Sequence, residues 1–361
     1  MARLKIKGLL YDNLDELYQN SITAAFKSSK LSREEFTKKY EEKLDEYSDA
    51  FEKSAIKTHA DIRYKIKFAT YHKSIIATQK AIAQTYKDSF TYYFSYLSAC
   101  HVILNKVLKQ LDQFETNQTD HVVIPLYAHL LRKVDQIGIM LLNGYDDAAL
   151  VLWRAFYEFS LVCMLIAEED SEDLSKRFTE HTIRHSKRMM DSYQSRLSET
   201  GFEAISDDEQ RNVNDSYQRL SDLYGKEFVE GDYSWIKGVQ KLEGKKTTLR
   251  AIEDVLDMGK FRPFYIWASS HTHASFEVFK EVTFDNKIYA VDITDSRPDF
   301  EDLIDPMQIT INVLHEVNES VLRLISDEEE GYLNLELLHR LYLKLLQTFD
   351  PEAGKDIPAG Q

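Results

Sequence analysis

The sequence predicts an all-α fold: a multi-helix bundle with long N-terminal helices and at most one small β-hairpin. Three observations carry this. Only 6 Pro and 12 Gly occur in 361 residues, so the chain is poor in helix breakers and turn formers. Apolar and aromatic residues recur three and four apart along most of its length, which is the helical period. Capping signals mark the segment boundaries. With 43% hydrophobic residues there is ample material for a buried core.

Residues 32 to about 60 open with Ser32 and Glu35, a capping box leading into a long, largely polar helix. The next stretch, to about residue 110, places Tyr86, Phe90, Tyr93, Phe94 and Leu97 at helical spacing and reads as one or two packed helices. A break at FETNQTD, around Asn117, divides an N-terminal long-helix region, 1–115, from a core domain, 116–330. From Asp120 a helix runs to Asn143-Gly144, and a second, capped by Asp146, returns antiparallel to it. A third starts near Ser171. Residues 200–258, interrupted by Gly225, Gly231, Gly238 and Gly244, read as short helices and loops. The stretch FRPFYIWASSHTHASFEVF resumes a buried pattern, and EVTFDNKIYAVDI alternates about Asp285-Asn286 as a small hairpin. Two closing helices follow, the second belonging to a C-terminal region, 331–361, with a frayed tail.

The formal net charge is −15. Residues 1–115 hold 19 Lys and Arg against 15 Asp and Glu, a balance of +4, so the remainder carries −19. Such acidity excludes nucleic-acid binding through bulk electrostatics, which needs basic clusters and counterion release. Cys100 and Cys163 are far apart in apolar surroundings and read as buried thiols of a cytoplasmic protein. The opening MARLKIKGLLYDNLDELY lacks the apolar run and cleavage site of a secretory leader. The stretch VLWRAFYEFSLVCMLIA, 151–167, approaches membrane length, but two charges inside it would cost several kcal/mol in hydrocarbon. A buried helix, and no membrane, is expected.

Those two charges, Arg154 and Glu158, stand one helical turn apart on a shared face. Inside an apolar helix each needs a partner. They form either a packing ion pair or a site in which Arg154 grips an anion and Glu158 serves as base or orienter. A second cluster, RFTEHTIRH, sets His181 and His185 four apart beside Arg177 and Arg184. Metal chelation by this pair would need a third ligand such as Glu158, and solvated histidines are the simpler reading. A third, YIWASSHTHAS, puts Ser269 and His273 at i,i+4 with Tyr265 one turn earlier, as a general base beside a hydroxyl or as a satisfied core histidine. No Gly-x-Ser-x-Gly elbow surrounds either serine. The segment GVQKLEGKKT departs from a phosphate-binding loop, having five residues between its glycines.

The stretches LRKVDQIGIMLLNGYDDAALVLWRAFYEFSLVCMLIAEEDSEDLSKRF and FYIWASSHTHAS together resemble a bacterial helical family known as domain of unknown function 5677. The shared pattern is a small-residue hairpin leading into Arg-x-x-x-Glu, then a distant Ser-x-x-x-His with a further Ser, here Arg154, Glu158, Ser269, His273 and Ser275. The resemblance implies that the two segments meet in one polar pocket between helices. Such proteins are similar in style to abortive-infection proteins and HEPN ribonucleases, although the HEPN signature, Arg, four to six residues, then His, does not occur here. The expected function is a cytoplasmic phage-defence or toxin-like effector acting as a metal-independent ribonuclease. Arg154, Glu158, Ser269 and His273 are its catalytic candidates, and Arg177, His181, His185 and Tyr265 bind the substrate. The other expectation is a non-enzymatic interaction or assembly module whose polar network is structural. Expected partners are RNA or a protein, with self-association into a homo-oligomer, and no cofactor or metal is expected.

Overall fold

The computed structural model describes Ser32, Glu35 and residues 66–110, 117–273, 303–326 and 328–349. The chain divides into two compact units, 1–78 and 79–361. In the first, the capping box is formed: the Ser32 hydroxyl accepts from the Glu35 amide at 3.3 Å, and the Glu35 carboxylate accepts from the Ser32 amide at 3.0 Å. The hairpin expected about Asp285-Asn286, Ser275 and the tail from Asp350 lie outside the described residues.

Among the described residues the structure is helical, with no strand. The helices are α1 (Ile66–Thr85), α2 (Lys87–Gln110), α3 (Gln118–Leu142), α4 (Asp146–Glu169), α5 (Glu172–Ser195), α6 (Leu197–Thr200), α7 (Asp207–Tyr224), α8 (Lys226–Glu230), α9 (Leu249–Val255), α10 (Arg262–Thr272), α11 (Ile304–Ile325) and α12 (Glu328–Phe349). Short 3-10 turns link α8, α9 and α10.

Helices α3 and α4 form the expected antiparallel hairpin and share the most extensive helix contact. Asn117 caps α3, accepting from the Asp120 amide at 2.9 Å while Asp120 accepts from the Asn117 amide at 3.1 Å. Gly144, with φ of 77°, makes the turn between them, a backbone conformation that favours glycine. Tyr145 precedes α4, and Asp146 is its first residue rather than its cap, placing a carboxylate at the positive end of the helix dipole.

Helix α4 is long and apolar enough to cross a bilayer by length and composition, yet 67% of its most apolar window is buried. It is the core helix of the bundle: α3, α11, α10, α9 and α5 all pack on it. Its second half, Leu161 to Ala167, is buried on every side. Cys163 there and Cys100 on α2 are free, buried thiols, and burial raises the pKa of both, that of Cys100 to about 12. Neither is a nucleophile near neutral pH.

The closing helices complete the core, α11 against α4 and α12 against α2 and α11. Their seam with α2 and α3 holds a buried polar chain. Tyr127 donates to Asn318 Oδ1 at 2.6 Å, and Asn318 Nδ2 donates to Tyr96 Oη at 2.8 Å. Tyr96 Oη lies 3.0 Å from His315 Nδ1. Burial, then His339 nearby, pushes the pKa of His315 down to about 4.

The packing of α2 on α3 turns on Gly138. A β-carbon there would lie 2.5 Å from Tyr93 Cε1 and 3.1 Å from Phe94 Cε1. Tyr93 cannot yield easily, because it is buried and its hydroxyl donates to the Val134 carbonyl at 2.7 Å. Gly138→Ala should therefore lower stability by about 1–3 kcal/mol through overpacking, despite a gain of about 1 kcal/mol in helix propensity. Denaturant unfolding of the variant measures this, and a stabilised variant would show that α2 and α3 are looser than described.

Candidate functional site

Arg154 and Glu158 lie on the face of α4 that α10 covers. Their ion pair spans 2.9 Å from Nη2 to Oε1, with side chains 24% and 30% exposed. Helix α10 presents Tyr265 and Ser269, one turn apart and therefore stacked on one face. Arg154 Nε donates to Ser269 Oγ at 3.1 Å, and its Nη2 donates to Tyr265 Oη at 3.0 Å. The Tyr265 hydroxyl donates to Glu158 Oε1 at 2.7 Å. Ser269 sends its own proton to the Tyr265 carbonyl at 2.7 Å, which leaves its lone pairs for the arginine. The four residues thus close a hydrogen-bonded ring, Ser269 through the Tyr265 carbonyl, between segments more than a hundred residues apart.

His273 is not in this ring. Helix α10 ends at Thr272, and His273 is its extended, exposed C-cap residue, its amide donating to the Ser269 carbonyl at 3.1 Å. The Ser269 hydroxyl is engaged by Arg154 and Tyr265 rather than by His273. His271, not singled out from the sequence, faces Asp147 at 2.9 Å.

The surroundings of the ring are aromatic. Burial raises the pKa of Tyr265, as does its bond to Glu158, and burial followed by the Glu158 charge raises that of Tyr233. Both phenols are therefore neutral donors near pH 7. Arg154 Cζ and Arg262 Cζ each stand 5.2 Å from the Tyr265 ring centroid, within cation–π range. Arg262 pairs in turn with Glu253, which is 1% exposed, and the Tyr157 hydroxyl lies 2.8 Å from Glu253 Oε1. Burial raises the Glu253 pKa against the opposing pull of Tyr157 and Arg262. Sequence reasoning missed this second pair and Tyr233. Glu253 carried a signal, being a carboxylate among apolar residues in LRAIEDVL.

Helix α5 uses its candidates to hold a loop. His181 Nε2 lies 2.9 Å from the Gly231 carbonyl and 3.1 Å from Ser234 Oγ. The Ser234 hydroxyl donates to the Phe228 carbonyl at 2.6 Å, so the imidazole proton sits on Nε2, by inference from the network. Arg184 donates to the Glu230 carbonyl at 2.9 Å and pairs with Asp232 at 2.6 Å. Arg177 donates to the Lys237 carbonyl and pairs with Asp173 at 2.9 Å. His185 is exposed. The described residues contain no group of three metal-ligating side chains in a coordinating arrangement, and His181 is spent on backbone carbonyls.

Residues 120–288 match the model of DUF5677, a family of unknown function. The matched segment runs from the first turn of α3 past the end of α10 and contains all four members of the ring, so the family resemblance holds for this part of the chain. No curated protein and no solved structure gives a match.

Burial lowers the pKa of His181, partly offset by the Gly231 carbonyl. The folded protein thus keeps this imidazole neutral at pH values where the unfolded chain, titrating near about 6.5, has already bound a proton. Stability contributed here is present above that value and is lost as pH falls below it. Thermal unfolding between pH 7.5 and 5 should show a shallower decline for His181→Gln, which keeps a donor for Gly231 and has nothing to titrate. An unchanged slope would remove His181 from the acid sensitivity.

Proposed function

We propose that this chain is a cytoplasmic helical interaction module, and that the ring of Arg154, Glu158, Tyr265 and Ser269 is the tie that fixes α10 against α4 and so shapes the surface offered to a partner. The supporting observation is that one edge of the Arg154 guanidinium is engaged within the chain. Its Nε and Nη2 protons go to Ser269, Tyr265 and Glu158, and Glu158 neutralises its charge. A phosphate gripped through Nε and Nη2 would have to displace these internal partners, in a chain whose net charge is −15. The neighbouring cation, Arg262, is likewise paired with Glu253.

A second reading, the RNA-cleaving effector of phage-defence or toxin type, draws support from two features. Arg154 and Glu158 remain a quarter to a third exposed, and the exposed His273 ends the helix that carries Ser269. There Arg154 would steady a developing phosphorane charge and His273 would transfer the proton.

The two readings part in a single set of variants. If the ring is a tie, Arg154→Ala should lose about 1–3 kcal/mol, less than for a fully buried pair because solvent reaches it. The volume-matched double variant Arg154→Met, Glu158→Leu should recover most of that loss. Total RNA from a bacterial host expressing wild type or His273→Ala at matched soluble levels should be intact in both. RNA cleaved by the wild type and spared by His273→Ala would overturn the interaction reading in favour of the nuclease.

A further inference from the structure

Away from the ring, two histidines on the closing helices face each other. His315 Nε2 on α11 and His339 Nδ1 on α12 are 3.3 Å apart. Glu319, one turn after His315 on α11, brings Oε1 to 3.9 Å from the same Nε2. Donor atoms bound to one tetrahedral zinc at about 2.1 Å are separated by about 3.4 Å. The two imidazole nitrogens already have about that separation, and the carboxylate stands at 3.9 Å from the first of them. This is two ligands in place with a third adjacent, not a complete coordination group.

The supports for such a site are also present. Metal-bound imidazoles hold their second nitrogen against a hydrogen-bonding group that fixes the ring. His315 Nδ1 meets Tyr96 Oη at 3.0 Å, and Asn318 at 2.8 Å anchors that hydroxyl. The Tyr342 ring stacks on His315 with centroids 4.2 Å apart and planes 9° from parallel, and Tyr342 is itself held by Asn312 at 3.0 Å. His315 is 12% exposed, while His339 is exposed, so an ion can enter from solvent and meet a pre-oriented ligand. Among the described residues Glu319 also pairs with Arg323, at 3.7 Å.

We infer that His315, His339 and Glu319 form a binding site for a divalent transition-metal ion of the zinc type, which clips α12 to α11. Two imidazoles and a carboxylate suit zinc, and water would complete its coordination. Zinc binding requires His315 to carry its proton on Nδ1, directed at Tyr96, and His339 to carry its proton on Nε2, directed to solvent. The ion would add a coordinate link to two helices already joined by the Tyr342–Asn312 bond and the Tyr342–His315 stack, and would stabilise the folded chain by mass action.

The test is titration of the chelator-treated full chain with zinc chloride, by calorimetry and by thermal unfolding, beside His339→Ala and Glu319→Gln. His339→Ala removes an exposed side chain, so its fold should survive, and circular dichroism before titration checks this. The wild type should bind one equivalent and melt at higher temperature in zinc. His339→Ala should bind about tenfold more weakly or worse and lose the melting shift, with Glu319→Gln between the two. Cobalt in place of zinc should give the visible absorption of a four-coordinate ion in the wild type alone. No zinc binding, or the same binding and melting shift in His339→Ala as in wild type, would overturn the site and leave the two histidines as a hydrogen-bonded pair.

Discussion

A charge placed within an apolar helix must be satisfied locally or the helix cannot be buried. The fold is organised around how α4 meets that demand. Arg154 would be a liability on a helix whose second half is enclosed on all sides. Its guanidinium instead reaches across to α10, to Ser269 Oγ and Tyr265 Oη at 3.1 and 3.0 Å. Apolar contacts could not specify that placement as narrowly, because they tolerate sliding and rotation that a fork of directed donors does not. Among the described residues α10 buries only Ala268 fully, with Phe264 and Trp267 packed partly buried on the core, and the polar ring adds direction to that apolar contact.

The same device recurs at other seams. The carboxylate of Glu253 on α9 is taken up by Arg262 on α10 and Tyr157 on α4, which ties three elements at one buried point. Asn318 on α11 joins Tyr127 on α3 to Tyr96 on α2. Arg177, His181 and Arg184 on α5 hold carbonyls at the end of α8 and in the loop that follows it. Buried polar groups with every partner in place cost little and select one arrangement among many compact ones. An all-helical core rich in interchangeable Leu, Ile and Val gains its uniqueness this way.

Much of this was legible in the sequence. The paucity of Pro and Gly, the period of three to four and the Asn143-Gly144 stop led to the α3/α4 hairpin, and the charge pair in VLWRAFYEFSLVCMLIA pointed to the centre of the ring. That Ser269 meets the charge pair was legible from the family resemblance, since no local pattern shows what lies across a helix, while Tyr265 stood out locally, one turn before Ser269. Other features were hidden for physical reasons. An i,i+4 spacing places His273 near Ser269 only while the helix continues, and THAS carries no Gly or Pro to announce that it ends at Thr272. Arg177 and His181 resembled ligand-binding groups because a sequence does not reveal which backbone carbonyls a loop will leave unpaired. Tyr233 lies close enough to feel the Glu158 charge, a proximity of which sequence spacing holds no trace.

The claim that Arg154 is what holds α10 can be measured directly by native-state amide hydrogen exchange, comparing wild type with Arg154→Ala under conditions where both are folded. Loss of the tie should lower protection of the α10 amides, residues 262–272, while leaving α3 and α11 as they were, because local opening follows the contacts that are removed. Protection in α10 unchanged by Arg154→Ala would contradict the account, since apolar packing alone would then suffice to seat the helix.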